Sequence, residues 1–209
     1  MPLRCRRRWD IDAPRLHQRN VAPVVNKQTI LDMIAEGGVP YSQVRDSITA
    51  GDFMFLHDEP EYTLYGAQIA AVQAFTGPFA HVALIDKFGG RVWVEESVVP
   101  YVRLSPLSNV VPKGFFLLQL GIEMSEAERD IALKYVSLGE YSKPCAVAAG
   151  LNWINENSGD DDDGRWWCAK FSSIVRRGVV DCGPAYVPTA MADYMTKRYG
   201  KKLIYVRMD

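Results

Sequence analysis

The chain has no apolar run of about 18 residues, so no membrane span is expected. It carries no surplus of charge: 24 Lys and Arg stand against 25 Asp and Glu, a net charge of −1. Bulk nucleic-acid binding calls for a basic excess, so nucleic acid is not an expected partner. No apolar segment follows the N-terminal arginines, which argues against a Sec signal peptide. Histidine is scarce, with only His17, His57 and His81. The cysteines are Cys5, Cys145, Cys168 and Cys182, and no two form a CxxC pair. A zinc site of ordinary ligand spacing is therefore not expected, and neither is any other metal or cofactor. Free thiols made in a reducing compartment are the simpler reading. Internal repeats and low-complexity linkers are absent too. What is present is the balance of a globular protein, 48% hydrophobic and 23% charged. A chain of 209 residues can then bury one core and still carry an arm.

Residues 1–25 read as that arm. Arg4, Arg6, Arg7, Arg8, Arg15 and Arg19 face only Asp10 and Asp12, and Pro2, Pro14 and Pro23 interrupt any helix. Such a segment suits the acidic surface of a protein partner. A short helix is expected over Asn26–Ala35, ended by Gly37-Gly38. A turn at Ile48–Asp52 leads into a strand at Phe53–Leu56, and Leu64–Phe75 has helical periodicity. Strands are expected at His81–Asp86 and Arg91–Val98, with Gly89-Gly90 as the hairpin signal between them. Gly114–Leu120 is a further buried strand. Ser125 and Glu128 make a capping box for a helix from Glu126 to about Leu138. Pro144 opens another helix to about Asn157. The four aspartates between Gly159 and Gly164 lack the ligand spacing of a calcium loop and read as a solvated turn. Trp167–Arg177 is a helix, Thr189 caps a last helix to about Arg198, and Lys202–Met208 is a terminal strand. Strands and helices without strict alternation predict an α+β fold, a small antiparallel sheet packed against helices.

The chemistry points to Cys168 and His81. A thiol in the first turn of a helix faces unpaired N–H groups, which favour a thiolate and receive an oxyanion. Cys168 also fits a small core residue, because Cys168, Phe171, Ser172 and Val175 share a helical face. His81 begins a strand and needs a thiol nearby to act as its base. If the hairpin pairs Asp86 with Arg91, His81 lies opposite Glu96, which can then fix the imidazole tautomer. A shift of one residue hands that role to Glu95, the substitute third residue. Left out of that role, Glu95 reads as part of an exposed acidic pair. His57 reads as a surface-loop residue beside a turn, and His17 receives no assignment. Cys145 competes formally with Cys168, but Ala146–Ala149 suggest packing. Cys182 reads as incidental, and Ser172 and Ser173 lack a base.

These residues, taken in order, resemble the permuted papain-fold hydrolases of the YiiX type, relatives of NlpC-like peptidases. Thr49-Ala50-Gly51-Asp52-Phe53-Met54-Phe55 is similar to the family's Gly-Asp before its first strand. Phe79-Ala80-His81-Val82-Ala83-Leu84-Ile85 resembles its histidine strand. Glu96, then Val102-Arg103-Leu104-Ser105-Pro106-Leu107, resembles its acidic stretch. Trp167-Cys168-Ala169-Lys170-Phe171 resembles its cysteine helix, and Pro188–Asp193 a late segment. The resemblance spans about 49–195 and implies Cys168 as nucleophile, His81 as base and Glu96 as orienting residue. The chain departs from the family at Ala80, Ala169 and Lys170, where Ser, Ser and an acidic residue are usual. Residues 1–45 match nothing in the pattern.

The expectation is therefore a basic arm with a short helix at 1–45, docking a partner, followed by a permuted papain-like hydrolase domain at 46–209. The resemblance implies a cysteine peptidase or amidase, with peptidoglycan stem peptides as first substrate. A wall-cutting enzyme without a signal peptide needs another way out. That suggests a soluble protein made in the cytoplasm and delivered in a phage virion or tail. The alternatives are a lipid-directed thioesterase or acyltransferase of the same fold, and a structural virion subunit without activity.

Overall fold

A computed structural model describes residues 25–57, 77–98, 100–111, 113–136, 140–141, 165–183 and 187–209. The basic arm before Val25, the expected helices at Leu64–Phe75 and Pro144–Asn157, the aspartate run and Cys145 lie outside the described residues. In chain order the strands are β1 (Val39–Pro40), β2 (Phe53–Leu56), β3 (His81–Phe88), β4 (Arg91–Ser97), β5 (Val102–Pro106), β6 (Gly114–Leu118), β7 (Glu140–Tyr141), β8 (Arg165–Trp166) and β9 (Leu203–Arg207). The helices are α1 (Lys27–Ala35), α2 (Tyr41–Val44), α3 (Leu107–Val110), α4 (Glu126–Tyr135), α5 (Cys168–Val175) and α6 (Pro188–Tyr199). None of the described helices is long and apolar enough to cross a membrane.

Seven strands form one sheet in the order β1-β9-β6-β2-β3-β4-β5, while β7 and β8 pair separately. All neighbours in the large sheet are antiparallel except β1 with β9. The fold is α+β. Its central strand β2 is buried at all of its positions, because both faces of the sheet are covered. Phe53, Phe55, Val82, Leu84, Phe116 and Leu118 face a core completed by Ile30 of α1, Ala132 of α4, Phe171 and Val175 of α5, and Met191 and Met195 of α6. Met54, Leu56, Ala83, Ile85, Val94 and Leu117 face a second core closed by Val44, Ile48, Leu107 and Val110. Alternate residues of one strand thus enter different cores, as the two-residue period of the pleat requires.

Local signals set several elements. Asn26 caps α1 by accepting from the Thr29 N–H at 2.9 Å. Ser125 and Glu128 form the expected capping box of α4, which ends at Tyr135. Residues 25–45 pack with the body: β1 is an edge strand of the main sheet, and Ile30 is fully buried. Gly89 and Gly90 take φ of 60° and 71°, the left-handed pair that a tight two-residue hairpin needs. That turn pairs Phe88 with Arg91 and Asp86 with Trp93. Asp86 therefore does not face Arg91, as the sequence reading required. The register moves by two residues, and an even shift keeps every side chain on its expected face.

At α6 the structure corrects a cap. Val187 is the N-cap and Pro188 opens the helix, the position where a missing N–H costs nothing. The Thr189 hydroxyl accepts instead from the Phe79 N–H at 3.0 Å. Gly77, with φ of 101°, lies so close that an added Cβ would stand 2.6 Å from Thr189 Cγ2.

Candidate functional site

Three contacts hold the segment that leads into β3. The Ala80 N–H donates to the Leu56 carbonyl at 2.9 Å. The Phe79 N–H donates to Thr189. His57 lies 2.8 Å from the Pro78 carbonyl through Nδ1, and a carbonyl only accepts, so that nitrogen carries the proton. His57, expected as a surface-loop residue, is half-buried and fastens the approach to His81.

His81 follows as the first residue of β3 and is buried, with 6% exposure. Its Nε2 donates to Glu96 Oε2 at 2.8 Å. The paired residues of β3 and β4 end at Leu84 and Glu95, and Glu96 reaches His81 just beyond them. Glu96 Oε1 accepts from Arg103 Nε at 2.7 Å, and Arg103 lies directly across from Glu96 in β5. Cys168 is the first residue of α5, after the N-cap Trp167, and its side chain lies close enough to His81 to raise the pKa of the imidazole. With Nε2 engaged by Glu96, Nδ1 is the ring nitrogen left for the sulfur. Cys168 is a free thiol with 6% exposure. The structure thus brings Cys168 beside His81 and links His81 through Glu96 to Arg103 by hydrogen bonds. Arg103 was missed because its stretch was not read as a strand, although the alternation Val102-Arg103-Leu104-Ser105 is in the sequence.

The charges of this line follow from competing effects. Burial alone would lower the His81 pKa, but the neighbouring side chains of Cys168 and Glu96 raise it from 6.5 to about 10. Burial would raise the Glu96 carboxyl, yet His81 and then Arg103 hold it below its ordinary value. A protonated imidazole against an ionised carboxylate is the resulting state near neutral pH.

Glu95 points elsewhere. It is fully buried, and among the described residues neither carboxylate oxygen has a hydrogen-bond partner. Burial, then the charge of Asp86, pushes its pKa from 4.5 up to about 8, with Arg129 opposing. Asp86 itself receives Arg129 Nε at 2.9 Å and Nη2 at 2.8 Å. Glu95 and Glu96 are not an exposed acidic pair. β4 lies between β3 and β5 with both faces covered, so both carboxyls are buried, on opposite sides. Cys182 is buried and free, and burial pushes its thiol up to about 12. Ser172 is buried with its hydroxyl unpartnered.

Neither a family model nor a curated protein matches the chain. Among solved structures, the chain is similar to the metalloprotein YiiX from Escherichia coli O157:H7, of the group DUF1105, at 14% identity and a TM-score of 0.38. The alignment covers 76% of this chain and 88% of that one. At that distance no residue role passes from one protein to the other. Among the described residues here, no three His, Cys, Asp or Glu side chains gather where a metal ion could be held.

Proposed function

We propose that the protein is a cysteine-dependent hydrolase of acyl bonds, acting first on amides, with Cys168 as nucleophile, His81 as proton carrier and Glu96 as the group that orients His81. The observation that carries the reading is the buried 2.8 Å His81–Glu96 hydrogen bond, with Cys168, first residue of α5, beside the same imidazole. An imidazolium beside the sulfur is the partner a thiolate requires. The first-turn N–H groups of α5 have no carbonyl within the helix, so they suit a developing oxyanion. The thiolate adds to the carbonyl carbon, and the C–N bond breaks as His81 gives its proton to the departing amine. His81, now neutral, takes a proton from water, whose oxygen attacks the thioester. The sulfur leaves as thiolate, the acid is released and His81 is again protonated.

Peptidoglycan stem peptides are the first substrate to test, because the ordered resemblance of the sequence leads to wall peptidases. Purified stem peptides, simple peptide amides and an acyl thioester are incubated with the wild-type chain and with Cys168→Ala. The reading expects an acyl adduct on Cys168 by mass spectrometry and loss of turnover in the variant. Turnover that survives Cys168→Ala rules the mechanism out. A thioester cleaved while all amides stay intact moves the assignment to thioesterase or acyl transfer.

A further inference from the structure

We infer that Arg103 is a positioning residue of this site: it holds Glu96 ionised and aimed at His81. The inference rests on the hydrolase reading for its kinetic arm only. Glu96 has two oxygens with two different tasks. Oε2 receives His81 at 2.8 Å and Oε1 receives Arg103 Nε at 2.7 Å. The carboxyl is 1% exposed, so water does little to keep it charged, and a buried carboxylate tends to take up a proton. A protonated Glu96 is a poor acceptor for an imidazolium and releases His81 to rotate. The guanidinium stops this from the far side. The cross-strand pairing places Arg103 directly opposite Glu96, and its planar guanidinium meets the carboxylate through Nε.

Among the described residues, few charged groups act on Glu96. His81 approaches from β3 and Arg103 from β5, while Cys168 of α5 acts through His81. Glu95, the next residue in β4, lies on the opposite face with Asp86 of β3 and Arg129 of α4. Among the described residues, removal of the Arg103 charge therefore leaves His81 as the cation that acts on Glu96.

The test compares Arg103→Met and Arg103→Lys with the wild-type chain. Arg103 is one-third exposed, which makes both variants tolerable to the fold. The first readout is the carboxyl 13C titration of Glu96, which needs no substrate. The second is the pH profile of kcat/KM on whichever acyl substrate the wild type turns over. Arg103→Met should move the Glu96 titration and the acid limb upward together by about one unit or more. KM should change little, and Arg103→Lys should return most of the shift by restoring charge without the Nε contact. If Arg103→Met lowers kcat equally at every pH while the limb and the Glu96 titration stay in place, Arg103 is only structural and the inference falls. Turnover that survives Cys168→Ala defeats the hydrolase reading instead, and the 13C titration then still decides for or against Arg103.

Discussion

Glu95→Gln should change how stability depends on pH, and the change can be worked out from the burial of one side chain. Glu95 is fully buried, with neither oxygen hydrogen-bonded among the described residues, and its carboxyl is pushed from 4.5 to about 8, first by burial and then by Asp86. The folded chain therefore keeps this proton where the unfolded chain has lost it. For such a group the stabilising contribution is complete below about 4.5 and is given up as pH climbs toward 8. Each unit costs about 1.4 kcal/mol. From 4.5 to 7 the loss is about 3 kcal/mol, and it levels off near 5 kcal/mol above pH 8. Glutamine has nearly the same shape and no proton to lose.

Urea unfolding of wild type and Glu95→Gln at half-unit steps from pH 5 to 9 reads this directly. At pH 5 the variant should be level with the wild type or below it, because its amide brings buried donors that cost about 1–3 kcal/mol. The difference should then move in favour of the variant by about 1.4 kcal/mol per unit and stop changing above pH 8. His81 titrates identically in both chains and cancels from the difference. Two parallel curves would refute the reasoning, because they would mean that Glu95 is ionised in the folded chain at neutral pH or is solvated there.

Three further outcomes follow from the same packing. His81, raised from 6.5 to about 10, adds stability that is complete below 6.5 and lost as pH rises to 10; in His81→Gln that slope should vanish from the urea series. Arg176 is fully buried and donates to Glu128 Oε1 at 2.9 Å and to the Ile122 carbonyl at 2.7 Å. Arg176→Met strands the Glu128 carboxylate and should cost about 3–5 kcal/mol by denaturant titration, whereas a loss under about 1 kcal/mol would show the pair to be dispensable. Thr189→Val keeps the shape of the side chain but removes the acceptor for Phe79, so it should cost about 1–3 kcal/mol; an unchanged urea midpoint would show that the Phe79 N–H finds another acceptor.

Features decided within a few residues were legible in the sequence. The Ser125–Glu128 box and the Gly89-Gly90 turn each act over one turn of chain, and each stands where its residue types predict; Asn26, read as the first residue of a helix, is its cap. Features decided by which strand lies alongside were not. The hairpin register was expected two residues away from where the tight turn sets it, yet the face of Glu96 survived because the displacement was even. Thr189 has the residue type of a cap, but Pro188 claims the first helical position and frees the hydroxyl for a partner 110 residues away. β5 shows a short alternation ending in a proline, and only its place beside β4 turns Arg103 into a neighbour of Glu96.

The two glutamates of β4 show why neighbours in sequence can differ most in chemistry. Residue type predicts the same behaviour for both, and both are buried. The pleat sends them to opposite faces, and there the outcome depends on what the adjoining elements supply. On one face β3 and β5 present His81 and Arg103, two cations that outweigh the cost of burial, so Glu96 stays ionised. On the other face the nearby anion Asp86 has already engaged Arg129, burial prevails, and Glu95 keeps its proton. A displacement of one residue in β4 would exchange these environments. It would put a protonated acid beside His81 and a paired anion in the opposite core. Register in this strand is therefore a condition for the arrangement of Cys168, His81 and Glu96 as much as for the packing of the sheet, and the two positive-φ glycines of the turn between β3 and β4 belong to the site's chemistry.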